Sequence, residues 1–233
     1  MVGDPNKVEL VNVAIAAITT RGLGRIFGSP HGDIVALADL DLEVFPGEVV
    51  VLMGRSGTGK TTALNILCGL DTPTAGEAVT LGVSVIPSHR KDLAALRRFR
   101  VGRVFQDSDL LDELDALDNV ALAVELRTGA SGARAREIAR SVIEELGIGD
   151  RAHSRPIELS GGEKQRVAIA RAMASGVDVI LADEPTGSLD EGNAIVVAEA
   201  LRRAAERGAA VLVATHDSVI AERADRIVRT DTR

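Results

Sequence analysis

Two stretches of the chain carry residue types at spacings that bind phosphate. The first, "VVVLMGRSGTGKTT", runs from an apolar, β-branched segment through G-x-x-x-x-G-K-T into a helical pattern. Glycines 54, 57 and 59 let the backbone curl with its N–H groups pointing inward, where they hold a β-phosphate. Lys60 places a point charge on the β and γ oxygens, and the Thr61 hydroxyl is an Mg²⁺ ligand. The whole run Gly54, Arg55, Ser56, Gly57, Thr58, Gly59, Lys60, Thr61 and Thr62 is the expected nucleotide contact. The second stretch is "LSGGEKQRVAIARA" at 159–172. Ser160 and Glu163 form S-x-x-E, a capping box, so a helix begins near Gly161 and Gly162. With no Cβ on either glycine, a phosphate can approach the backbone closely at the positive end of that helix. Read alone, the same residues serve equally as a plain helix start after a turn.

Three further positions fit nucleotide chemistry. The apolar segment "VILADE" (179–184) ends in two carboxylates. Asp183 at the tip reaches Mg²⁺, directly or through water; Glu184 points toward the γ-phosphate, where it orients or deprotonates a water. The competing reading of this pair is a capped turn before Pro185. Gln106 follows "GRVF" and His216 follows "VLVAT", and ligands of doubly wound sheets bind beyond the carboxyl ends of strands. Gln106 is placed to bridge Mg²⁺ or the attacking water, and His216 to donate to the γ-phosphate. His31, His89 and His153 lack such a context and read as surface residues.

These residues need strands that end together. "VVVLM" (49–53), "VDVILAD" (177–183) and "AAVLVAT" (209–215) are apolar throughout, as strands buried on both faces are, and helices separate them. That pattern implies an α/β fold with a parallel sheet covered on both sides. In "ALADLDLEVF" (36–45), Leu40, Leu42 and Val44 alternate with Asp39, Asp41 and Glu43, which predicts a half-exposed antiparallel strand. Helices are expected from Lys60 to about Leu70, over 133–146, after Gly162, and over 193–207. Residues 107–176 contain no strong strand and read as a helical lobe. It is inserted into a single domain whose nucleotide-binding core is 1–106 plus 177–233.

Composition narrows the setting. Of 233 residues, 27 are Lys or Arg and 34 Asp or Glu, giving a net charge of −7 that argues against a nucleic-acid partner. The single cysteine, Cys68, forbids an intrachain disulfide and lies in the apolar run "LNILCGL", where it reads as a small buried thiol. No apolar run approaches the ~18–20 residues that cross a bilayer. The start "MVGDPNKVEL" is unlike a secretory signal. A cytoplasmic location is expected, with any membrane role exercised through a docked partner.

The ordered set "GRSGTGKTT", Gln106, "LSGGE", "VILADE", "SLD" (188–190) and "ATHD" with His216 resembles the ATP-binding subunits of ABC transporters over nearly the whole chain. "DRAHSRPIELSGGEKQRVAIARAMA" and "LADEPTGSLD" are similar to the lipoprotein-release, macrolide-export and cell-division subgroup. The resemblance implies a P-loop core, ATP and Mg²⁺ as cofactors, and two copies paired head to tail around two ATP molecules. In that arrangement "LSGGE" binds the γ-phosphate held by the other copy, and Asp190 lies near the opposite site. It also implies a membrane permease docking near Gln106 and residues 107–118, on the inner face of the membrane.

The sequence departs from that family in three places. Such proteins place a tyrosine about 25 residues before the phosphate loop, stacked on adenine. Phe27 stands there, with a core phenylalanine as the rival reading. Lys164 replaces a more usual Gln. Residues 107–118 hold six acids, Asp107, Asp109, Asp112, Glu113, Asp115 and Asp118, where relatives are more apolar. This is either a solvated loop or a surface for a basic permease segment. The alternative function within the family is signalling across the membrane without transport. A DNA-repair ATPase would need long coiled coils or zinc-binding cysteines that this chain lacks.

Overall fold

The computed structural model describes residues 15–30, 32–174 and 176–230. The first ten residues and His31, both read above, lie outside them. A four-stranded antiparallel sheet has the order β2-β1-β4-β5, from β1 (Ile18–Phe27), β2 (Ile34–Val44), β4 (Ala75–Thr80) and β5 (Val83–Ser84). A five-stranded parallel sheet has the order β6-β7-β8-β3-β9, from β3 (Val49–Met53), β6 (Val101–Val104), β7 (Val179–Asp183), β8 (Ala210–Ala214) and β9 (Arg226–Arg229).

The continuous apolar runs are explained by two cores, one on each face of the parallel sheet. On β3, Val49 and Val51 enter one core and Val50 and Leu52 the other; on β7, Ile180 and Ala182 oppose Val179 and Leu181. Helices α3 (Ala116–Thr128), α4 (Gly132–Glu145), α5 (Gly161–Met173) and α6 (Glu191–Glu206) contribute to the first core. Helices α1 (Lys60–Leu67) and α2 (Arg90–Phe99) and the antiparallel sheet contribute to the second. Cys68 is fully buried there, its thiol donating to the Asn65 carbonyl at 3.3 Å, and burial pushes its pKa up.

β2 alternates as expected from Leu40 to Val44. Upstream the register changes, because Asp39 takes φ 52°, and Leu37 also faces inward. Helix α1 ends at Leu67, short of the expected Leu70. Gly69 adopts φ 71° and the Leu70 N–H turns back to the Asn65 carbonyl, which closes the helix end. Helix α6 begins two residues before expectation because the Asp190 side chain accepts from Asn193 N–H and caps it. His89 is half-buried rather than superficial, with Nδ1 3.1 Å from the Ser84 carbonyl; His153 is exposed beside Asp115.

Because β6, β7, β8 and β3 are parallel neighbours, their carboxyl ends form one edge. Gln106, Asp183–Glu184, His216 and the glycine loop follow those four ends.

Candidate functional site

At that edge lies a cavity of about 970 Å³. Every expected loop residue from Gly54 to Thr62 lines it except Thr58, and Gln106, Asp183, Glu184 and His216 line it too. Thr58 is turned inward instead. Its hydroxyl lies 2.9 Å from the Arg55 carbonyl and 2.7 Å from the Thr230 hydroxyl, tying the loop to the end of β9. Sequence reasoning missed Ile34, Val35 and Ala36 of β2 and Gln165 of α5, which line the cavity together with Asp107, Gly187 and Ser188.

Gly59 brings the loop backbone against β2. It has φ 87°, and a Cβ there would sit 2.1 Å from the Ala36 carbonyl oxygen. Gly59→Ala is therefore expected to lose at least ~1–3 kcal/mol from the backbone conformation alone, with the clash added. Urea denaturation checks this, and a variant as stable as the parent would contradict the contact between loop and β2.

Lys60 is almost wholly buried, and its ammonium donates to the carbonyls of Gly54 at 2.8 Å and Arg55 at 3.2 Å. It also lies 3.9 Å from Glu184. Asp183 is 2% exposed; burial pushes its pKa up, while the bonded Thr61 hydroxyl, Arg103 and Lys60 pull it down. Glu184 takes φ 43°, unusual for a residue with a side chain. The surroundings hold it there: its N–H donates to the Ala214 carbonyl at 2.8 Å, and its carboxylate accepts from the Thr215 hydroxyl at 3.0 Å. His216 Nδ1 lies 3.1 Å from the other carboxylate oxygen. Strain of this kind, about 1–3 kcal/mol, persists where a side chain must be aimed.

The acceptor set at the β7 tip is all oxygen: the Thr61 hydroxyl, the Asp183 carboxylate and the Gln106 amide. Among the described residues no three His, Cys, Asp or Glu side chains are grouped to hold a metal. That combination fits Mg²⁺, which keeps its waters and takes one or two protein oxygens plus phosphate.

The second cradle has the expected local form. Ser160 Oγ accepts from Glu163 N–H at 3.3 Å and Glu163 returns a bond to Ser160 N–H at 2.7 Å. The remaining Glu163 oxygen accepts from Arg151 at 3.0 Å; these bonds, the Ser160 N–H foremost, hold its pKa low. Gly161 faces open space, whereas a Cβ on Gly162 would meet Leu189 at 2.9 Å. None of Ser160, Gly161, Gly162, Glu163 and Asp190 lines the cavity of their own chain. Asp190 instead caps α6, and its partner Asn193 bonds Arg166 of α5.

Phe27 does not line the cavity either. It is 40% exposed, so it is no core residue. It pairs across the β1–β2 hairpin with Ile34, which does line the cavity, and the Arg25 guanidinium covers its ring at 4.5 Å. Of the six acids in 107–118, Asp118 is bound bidentately by Arg136 and Asp115 caps α3. The other four, Asp107, Asp109, Asp112 and Glu113, are exposed.

Residues 37–187 match the family described as "ABC transporter". The chain is 45% identical over 216 residues to the macrolide export ATP-binding/permease protein MacB of Rhodopseudomonas palustris (strain BisB18), covering 93% of this chain and 33% of that protein. Against MacB of Wolinella succinogenes it is 42% identical over 211 residues, covering 91% and 33%. It thus spans about a third of the length of these curated relatives. A dimeric ATP-binding cassette, MJ0796, solved in a post-hydrolysis state bound to ADP and Pi, superposes with a TM-score of 0.85 at 35% identity. The match covers 91% of this chain and 93% of that one.

Proposed function

The chain belongs to the ABC transporter family as its ATP-binding, ATP-hydrolysing unit, and from that premise we propose a motor in which two copies close head to tail around two ATP molecules. The observation that carries this reading is the division of the site. The phosphate loop, Asp183, Glu184, Gln106 and His216 share one cavity, while Ser160–Glu163 present a second cradle outside it. A cradle that stands outside its own loop's cavity serves the loop of a partner copy.

In this reading the loop N–H groups and Lys60 bind the β and γ phosphates, and Thr61, Asp183 and Gln106 would hold Mg²⁺, which would neutralise charge on those phosphates. Glu184 Oε accepts the proton of the attacking water, with Thr215 and His216 fixing its carboxylate. The Mg²⁺ assignment rests on the all-oxygen acceptor set. Specific ATPase activity should fall steeply on dilution; a rate independent of protein concentration would sink the paired site.

Phe27 provides the adenine platform, reached across the hairpin from Ile34. Stacking of a base on an aromatic ring is worth ~1–3 kcal/mol, so Phe27→Ala is expected to weaken binding of a fluorescent ATP analogue by about five- to a hundredfold. Undiminished affinity would remove Phe27 from the site.

No helix among the described residues is long and apolar enough to cross a membrane. We place the protein on the inner face of the membrane through a permease docked near Gln106 and 107–118, where four carboxylates remain exposed for basic side chains. Support for such a partner comes from the MacB relatives, whose names join ATP-binding to permease and whose length extends well beyond this chain. Residues 107–176 act as the lobe that carries the second cradle.

A further inference from the structure

A second cavity, of about 490 Å³, lies away from the nucleotide site between α2, β6, α3 and α5. Five arginines line it: Arg97, Arg98, Arg103, Arg127 and Arg171, together with Ala123, Leu126 and Ala172. No Asp or Glu is among the lining residues. In a chain of net charge −7 that convergence is not a general basic character.

Three of the guanidinium groups are fastened by neutral carbonyls. Arg97 donates to Gly69 at 2.7 Å, Arg127 to Val101 at 3.0 Å, and Arg171 to Asp109 and Ser108 at 2.6 and 3.0 Å. These bonds fix position, and Arg171 is also drawn to the Asp109 carboxylate. Arg98 lies over the Phe99 ring at 5.1 Å. Arg103 carries the sharpest signal. Its side chain is 8% exposed, yet its Nε and Nη1 are buried without a hydrogen-bond partner. Nη2 alone is hydrogen-bonded, to Asn65 at 3.1 Å, and it lies 3.5 Å from Asp183, while the guanidinium stands over the Phe105 ring at 5.0 Å. A buried N–H without an acceptor is costly, more so when charged, so two on one guanidinium call for an acceptor from outside the chain. Burial, and then the neighbouring Arg171, push the Arg127 pKa down, as expected for cations facing one another.

We propose that this cavity is an oxyanion site, taking a phosphate or carboxylate group between Arg98, Arg103 and Arg127. The planar forks of arginine match such groups bidentately. The occupant shares Arg103 with Asp183, so the site is joined through one side chain to the carboxylate at the β7 tip. The proposal rests on this geometry and not on the ATPase reading.

The test uses the full chain with ADP and Mg²⁺ present, uniformly ¹⁵N-labelled so that backbone amides and arginine Nε–H groups are both read, at constant ionic strength. Inorganic phosphate and triglutamate peptide are titrated separately. Saturable shifts of the Arg103 and Arg127 Nε–H resonances are expected, weakened about tenfold or more in Arg98→Gln/Arg127→Gln. A response to phosphate alone identifies a free oxyanion; tighter binding of the peptide identifies acidic side chains of a protein partner. If the double variant fails to fold, the exposed Arg98→Gln alone serves, with a smaller but measurable weakening. No shift with either probe, shifts confined to the backbone amides of 54–61, or affinity unchanged by these substitutions overturns the site. The loop amides report separately on bound ADP, so failure there is read independently.

Discussion

Glu184→Gln is expected to bind ATP as tightly as the parent and to lose ~10²–10⁴ of its turnover, the range supplied by a positioned general base. The geometry separates the two effects. In the proposed site phosphate affinity resides in the loop, and the substitution keeps the Lys60 bonds to the Gly54 and Arg55 carbonyls while removing only its 3.9 Å ion pair with Glu184. Glutamine keeps the shape of the side chain and an oxygen for the Thr215 hydroxyl, so the strained backbone at φ 43° keeps its supports. What disappears is the proton acceptor. Removing a negative charge next to the triphosphate also favours the bound state, so the variant should accumulate as an ATP-loaded dimer. Size exclusion with and without ATP detects the dimer, and steady-state phosphate release measures the rate. Turnover near that of the parent would take the role of base away from Glu184, whatever became of the dimer.

The parts of this molecule visible in its sequence are those where local pattern and global packing agree. Strands β3, β7 and β8 are buried on both faces, so their apolar runs stand out, and the chemistry-bearing residues follow directly from where those strands end. β1 was invisible because Gly22 and Gly24 interrupt it and its register shifts repeatedly against β2. α2 buries only Leu93 and Leu96 among charged neighbours. In the site, the misses are residues whose roles depend on partners far along the chain. Thr58 turns inward to meet Thr230, and no spacing rule connects positions on opposite sides of the sequence. Arg103 sits inside "VGRVF", which reads as an apolar strand, and only the fold reveals that its guanidinium is buried against Asp183. The second cradle was legible, since a capping box and two glycines are local features. That it stands outside its own chain's cavity required the fold.

Ser160→Asp separates the two jobs that Ser160 can have. As an N-cap, aspartate is about as good as serine, so α5 and its capping box should survive and the melting temperature should barely move. As a phosphate contact, a carboxylate beside the γ-phosphate replaces a donor with a like charge, costing several kcal/mol where water is excluded. If Ser160 only starts a helix, the variant is active; if it grips a partner's nucleotide, a homogeneous sample is nearly inactive although each chain still binds ATP at its own loop. Mixing tests the geometry directly. Lys60→Ala alone should also be inactive, through loss of nucleotide binding. In a hetero-pair of the two variants, one chamber combines both substitutions and is dead. The other combines the intact loop of the Ser160→Asp chain with the intact cradle of the Lys60→Ala chain. Random pairing of equal amounts therefore restores about a quarter of the parental rate, because half the pairs are mixed and each has one working chamber of two. A site contained within one chain cannot be restored this way, and a mixture no more active than its separate components would show that the second cradle serves no partner.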